Sequence, residues 1–143
     1  MVTRIFYIVI SLLLSFNVQA NPQIEHWKTD NGGRVYYVSA PELPMLDIKI
    51  VFDAGAAQDK DLPGTALLTN AMLSEGAGGK TADEIAAAFD DIGANFGNAS
   101  ERDMAILSLR SLTAEPALSS ALKMLTTVLS QADFPQDAFE RLQ

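Results

Sequence analysis

From Leu46 to Asp53 the chain alternates, with Leu46, Ile48, Ile50 and Phe52 on one face of an extended segment and Asp47, Lys49, Val51 and Asp53 on the other. A period of two over eight residues predicts a half-buried strand. The same period returns after residue 94: Ala105, Leu107, Leu109 and Ser111 alternate against Met104, Ile106, Ser108 and Arg110. Strands are therefore expected over 94–100 and 103–112, joined through Asn98 to Arg102. Ahead of these, residues 24–30 and 34–39 are rich in aromatic and branched side chains, and Asn31-Gly32-Gly33 between them supplies the positive-φ positions of a tight hairpin turn.

Between the strands the period lengthens to that of a helix. Thr65 to Ser74 offers Ala66, Leu67, Ala71 and Leu73, or Leu68 and Met72, for packing, and Gly76, Gly78 and Gly79 mark its end. Thr81-Ala82-Asp83-Glu84 reads as a capping box, in which the threonine hydroxyl and the glutamate carboxylate satisfy free amides at a helix start. Ile85, Ala88, Phe89 and Ile92 continue as an apolar stripe that Gly93 ends. Pro116 opens a longer helix to about Gln131, with Leu118, Leu122, Leu125, Val128 and Leu129 expected on its packing face. Asp133 to Gln143 has the signals of a further helix start and no terminating signal, so the domain is expected to continue past Gln143. The order β-β-β-α-α-β-β-α, with strands grouped and hairpin-length connections, predicts an α+β domain: an antiparallel sheet packed with helices on one face.

Composition narrows the setting. Residues 1–20 read as a secretory signal peptide, with Arg4, the apolar run Ile5 to Phe16 and a small-x-small cleavage site at Val18-Gln19-Ala20. A membrane anchor is the competing reading, and the run is short of the roughly 20 residues a span needs. The expectation is an exported protein, periplasmic or secreted, with residues 21–143 as the mature domain and no stable membrane span. The net charge of -8, which becomes -9 without Arg4, disfavours nucleic acid as a partner. With no cysteine in the chain, disulfides, thiolate nucleophiles and Cys-based metal sites are excluded.

The residues offer little conventional chemistry. A hydrolytic zinc site takes about three protein ligands plus a water, and His26 is the only histidine. It stands beside Trp27 in a predicted strand and reads as structural or surface. No serine has a base to activate it. Asp83-Glu84 and Asp90-Asp91 sit on a predicted helix, where ordinary solvated carboxylates are expected rather than an acid/base pair. Gly76-Ala77-Gly78-Gly79-Lys80-Thr81 is superficially a phosphate loop, but a helix rather than a strand precedes it, and it reads as a flexible linker between helices.

Three stretches together carry a family resemblance: Val51-Phe52-Asp53-Ala54-Gly55-Ala56-Ala57-Gln58-Asp59, then Leu62-Pro63-Gly64, then the helix ending Met72-Leu73-Ser74-Glu75-Gly76. The chain resembles the insulinase/pitrilysin-type zinc metallopeptidases, and similarity continues through Ile92-Gly93-Ala94 and Asn98 to Asp103. In active members the helix after the Pro-Gly turn bears an inverted motif, His-x-x-Glu-His, whose histidines hold zinc and whose glutamate is the base for the attacking water. Those positions fall on Leu67, Asn70 and Ala71. Leucine and alanine have no lone pair for a metal, and an asparagine amide takes no proton from water at neutral pH. The replacements are expected to fit a buried helix face.

The resemblance implies further properties. The family's third ligand, a glutamate, would fall at or just past Gln143, and complete subunits have two related domains, of which this chain would be most of the first. Family members often pair an active subunit with an inactive one that closes a peptide-binding chamber. The implied role is a non-catalytic heterodimer partner of an active zinc peptidase, binding extended peptides by strand addition along Asn95, Phe96, Gly97, Asn98, Ala99 and Ser100, with zinc only in the active partner. The alternatives are a scaffold subunit of an envelope complex without peptide binding, and a zinc endopeptidase acting through an unrecognised site.

Overall fold

The computed structural model describes residues 22–143; the predicted signal peptide lies outside the described residues. The described residues divide into two compact units, residues 22–42 and 43–143. In the first, β1 (Ile24–Lys28) and β2 (Arg34–Val38) form an antiparallel hairpin with Ile24 opposite Val38 and Lys28 opposite Arg34. Its turn closes as the glycines anticipate: Gly32 takes φ +88°, and its amide donates to the Thr29 carbonyl at 2.9 Å. The His26 and Tyr36 rings face each other across the two strands at 6.3 Å.

The second unit is built on a three-stranded antiparallel sheet in the order β3 (Met45–Phe52), β7 (Ala105–Leu112), β6 (Asn95–Ser100). Its register sets Ile48 against Leu109 and Ile50 against Leu107 on one side, and Phe96 against Leu109 and Asn98 against Leu107 on the other. Because side chains alternate across a strand, one register puts every one of these residues on one face. Ala105, Leu107, Leu109 and Ser111 are all buried there, as the pattern requires. On the opposite face Arg110 binds Asp47 through two hydrogen bonds at 2.6 and 3.0 Å. The hydrogen bonds from Arg110, reinforced by its charge, lower the Asp47 pKa.

Helices cover the inner face. α2 (Ala82–Asp90) begins with the expected capping box, in which the Glu84 amide donates to the Thr81 hydroxyl and the Thr81 amide donates to the Glu84 carboxylate. Ile85 and Phe89 from α2 join Ala121, Met124, Leu125 and Val128 from α3 (Ala117–Ser130) against Leu107 and Leu109. Phe89 stacks on Phe96 of β6, 5.0 Å between ring centroids and nearly parallel. Burial of one such leucine or phenylalanine contributes about 1.5–3 kcal/mol. The fold is α+β, an antiparallel sheet with helices on one face.

Two expectations need correction. The packing face of α3 is wider than the leucine stripe on one side and narrower on the other: Ala121 and Met124 are buried, whereas Leu129 is exposed. Leucine spacing identified the helix and most of its inward side, since Leu125 and Val128 are buried and Leu118 and Leu122 half-buried, but it placed Leu129 inside and left out Ala121 and Met124. Gly76 to Thr81 is no flexible linker. Gly76–Ala77 (β4) and Lys80–Thr81 (β5) pair as a tight hairpin turning on Gly78 and Gly79, at φ +60° and +74°. The hairpin is fastened to the chain after α3: the Gly78 amide donates to the Gln131 carbonyl, and the Gly79 amide to the Asp133 carboxylate, both at 2.8 Å. A last helix, α4 (Gln136–Leu142), follows Pro135, and its Arg141 reaches Glu75 at 2.6 Å.

Candidate functional site

The helix that would carry an inverted zinc motif is α1 (Thr65–Met72). Its first turn leaves amides without intrahelical acceptors. Asp59 supplies them, accepting from the Gly64 amide at 2.8 Å and the Ala66 amide at 2.7 Å. Gly64, at φ +93°, holds the left-handed turn from which the helix starts. The Pro-Gly turn and the preceding acidic loop thus act together to set the helix direction.

The three motif positions lie on α1 as the spacing demands, but their burial differs from expectation. Leu67 is 61% exposed and Ala71 half-buried, while Asn70 is only 5% exposed. The expected burial of the apolar replacements fails at Leu67, because the side of α1 that carries it faces away from the sheet. The polar member is the one turned inward. The Asn70 backbone carbonyl accepts a hydrogen bond from the Asn98 side-chain amide of β6, which ties the end of α1 to the strand beneath it. The Asn70 Nδ2 has no hydrogen-bond partner among the described residues. A buried amide donor in that state costs about 1–3 kcal/mol.

Zinc does not fit these residues. Leu67 and Ala71 present only carbon, the Asn70 amide nitrogen has no lone pair to give, and no group of three or more His, Cys, Asp or Glu among the described residues is placed to hold a metal ion. No step of metal-assisted hydrolysis can be assigned to α1.

Among the described residues β6 is an edge strand in its sheet, paired with β7 on one side alone. Its hydrogen-bonding phase follows from the turn beyond it, where the Glu101 amide donates to the Met104 carbonyl at 2.8 Å. Antiparallel pairs alternate between bonded and non-bonded. Counting back from Glu101, Ala99, Gly97 and Asn95 bond to β7, and Phe96, Asn98 and Ser100 direct their backbone groups to the free edge. The Ser108 hydroxyl supports this phase by donating to the Gly97 carbonyl on the β7 side. Along the edge runs a cleft of about 380 Å³, between β6 and α2, closed at one end by Ser74 and Glu75 just past α1. Of the six residues marked in the sequence, Asn95, Phe96 and Asn98 line it, and Gly97, Ala99 and Ser100 do not. Leu67 and Ala71 stand outside the cleft; the Asn98 to Asn70 bond is what links the motif helix to the edge. Sequence reasoning missed Glu75 and set aside Asp83 and Asp90, whose place on the cleft wall depends on the turn of α2 toward β6.

A second concavity, an apolar groove of about 520 Å³, lies on another side of α1, where Phe52, Leu62, Leu73 and Leu129 approach Asn70.

Comparison with known proteins accords with this geometry. The family model described as insulinase (peptidase family M16) matches residues 34–143. A crystal structure of a peptidase M16 inactive domain from Pseudomonas fluorescens is 46% identical to this chain, covers 84% of it and superimposes with a TM-score of 0.82. A protease from Helicobacter pylori, 14% identical, covers 85% with a TM-score of 0.71, a likeness of fold alone. None of the curated proteins matches. The chain spans 29% of the length of each of these two solved chains. With the family model matching over most of its length, the chain belongs to the insulinase peptidase family, M16.

Proposed function

We propose that this chain is the non-catalytic partner of an active zinc peptidase in the periplasm, where it completes a peptide-binding chamber and holds extended peptides by strand addition to β6. The observation that carries the reading is the open edge of β6 beside a cleft, with the backbone groups of Phe96, Asn98 and Ser100 turned outward while α1 has lost its metal chemistry. An extended segment laid about 4.8 Å from β6 gains main-chain hydrogen bonds whatever its sequence, which suits a chamber that receives unfolded chains. Zinc and the attacking water belong to the partner, and this chain's contribution is to bind and orient.

The test is peptide cleavage and zinc content of the chain alone and mixed with a homologue carrying an intact inverted motif. Cleavage that requires the mixture, or that rises several-fold in it, supports the reading. Stoichiometric zinc and chelator-sensitive cleavage by this chain alone would overturn it. Peptide titration separates the reading from a pure scaffold, which would show no saturable binding.

A further inference from the structure

We propose that a second copy of this chain pairs with the first through β3, edge to edge and antiparallel about a two-fold axis at Ile48. Among the described residues β3 has β7 on one side and no strand on the other, so it is the second open edge of the sheet, opposite β6. Its hydrogen-bonding phase is fixed by the Thr113 amide, which donates to the Pro44 carbonyl at 3.0 Å on the β7 side. Counting on by twos, Leu46, Ile48, Ile50 and Phe52 bond to β7, and Met45, Asp47, Lys49 and Val51 direct their backbone groups to the free edge. The inner side of β3 is also less well covered than that of its neighbour: Leu107 and Leu109 are 1% and 2% exposed, whereas Leu46, Ile48 and Ile50 are only half-buried. An open edge flanked by apolar side chains is a template for another strand.

The order of residues in β3 selects both the partner and the register. Edge-directed residues must meet edge-directed residues, so two copies can slide against each other only in steps of two. With the axis at Asp47 two aspartates face each other, and with the axis at Lys49 two lysines do. With the axis at Ile48, Asp47 of each copy faces Lys49 of the other, and Met45 faces Val51. On the inner side Leu46 faces Ile50, and the two Ile48 side chains meet. Every apolar residue then has an apolar opposite and every charge a counter-charge, along about eight main-chain hydrogen bonds. Lys49 has no ion-pair partner among the described residues, and Asp47 is bound by Arg110 on the outer face. The pairing therefore extends one row of alternating charge, from Arg110 through Asp47 to Lys49 of the other copy. Such a contact is isologous and closes on itself. It is independent of the peptide reading, which uses the opposite edge.

Sedimentation equilibrium of the native chain across a dilution series is expected to show a reversible monomer–dimer equilibrium. Lys49→Asp sets aspartate opposite aspartate twice without breaking an ion pair inside the chain, and should weaken the dimer roughly tenfold or more. Asp47→Lys sets lysine opposite lysine and should do the same, while an equimolar mixture of the two variants should pair as well as the native chain. Because the chain has no cysteine, Ile48→Cys reports the register directly. Opposite residues of a non-bonded pair are about 4.5 Å apart, within disulfide range, so mild oxidation should crosslink two copies. Val51→Cys, about 20 Å from its own counterpart, should not crosslink. A native chain that stays monomeric throughout the series overturns the proposal. A dimer indifferent to Lys49→Asp, or one that crosslinks through Val51→Cys and not through Ile48→Cys, overturns this pairing of β3.

Discussion

At the scale of single residues, Asn70 is the polar position that α1 turns inward. Its side chain is buried and its Nδ2 has no partner among the described residues, so the position cannot accept a charge without consequence. Asn70→Glu restores the base of the family motif, yet with no metal beside it the carboxylate would be buried and its pKa raised. The folded state then resists ionisation, so the penalty is absent below the unfolded pKa and grows as pH rises through neutrality. Urea denaturation should show a loss of about 2–4 kcal/mol at pH 7 that shrinks toward pH 4. Equal stability at both pH values would mean the side chain swings out to water.

Leu67 and Ala71 behave differently, because one is exposed and the other half-buried on the same side of α1. Histidines at these positions, four apart, can chelate one ion. Leu67→His with Ala71→His should gain a zinc-dependent rise in melting temperature that a chelator reverses, and the native chain should melt at the same temperature with or without chelator. Glu84 offers a pH test in the unaltered chain. Its pKa is lowered from the ordinary 4.5, first by the Thr81 backbone amide and then by the Thr81 hydroxyl. A depressed pKa gives stability that is present above 4.5 and lost as pH falls through the folded value, so Glu84→Gln should flatten the acid limb of the stability curve. Thr81→Ala should cost about 1 kcal/mol in thermal or urea unfolding.

At the scale of elements, what the sequence revealed is what depends on near neighbours. Alternation in Leu46 to Phe52 and in Ala105 to Ser111 located the two long strands and their buried sides, and Thr81 with Glu84 marked a helix start to the residue. Contacts between distant segments left weaker traces. The hairpin at Gly76 to Thr81 is held by Gln131 and Asp133, more than fifty positions later, so its glycines alone suggested looseness. The inward turn of Asn70 and the cleft beside Asp83 and Asp90 arise only when α1 and α2 settle on the sheet. Gly55 belongs to this class too. A Cβ there would lie 2.4 Å from the Met104 amide nitrogen and 2.6 Å from the Arg102 carbonyl, both backbone. That close approach lets the Ala56 and Ala57 amides donate to the Glu101 and Arg102 carbonyls, joining the loop after β3 to the turn between β6 and β7. Gly55→Ala should destabilise by about 1–3 kcal/mol, measured by urea unfolding; a neutral effect would show that the loop is not held there.

At the scale of the whole molecule, the order of the strands in the sheet sets the order in which it can be assembled. β3 is made early in synthesis, but its neighbour is β7, and Met45 must wait for Leu112 before the ladder between them can close. The intervening α1, α2 and β6 leave β3 without its partner until most of the chain has been synthesised. Pairings between such distant segments make folding slow, because the entropy of closing the long loop is lost before the contacts that reward it form. The ladder between β3 and β7 therefore closes late, and until it does the apolar side of β3 at Ile48 and Ile50 stays without the strand it packs beside.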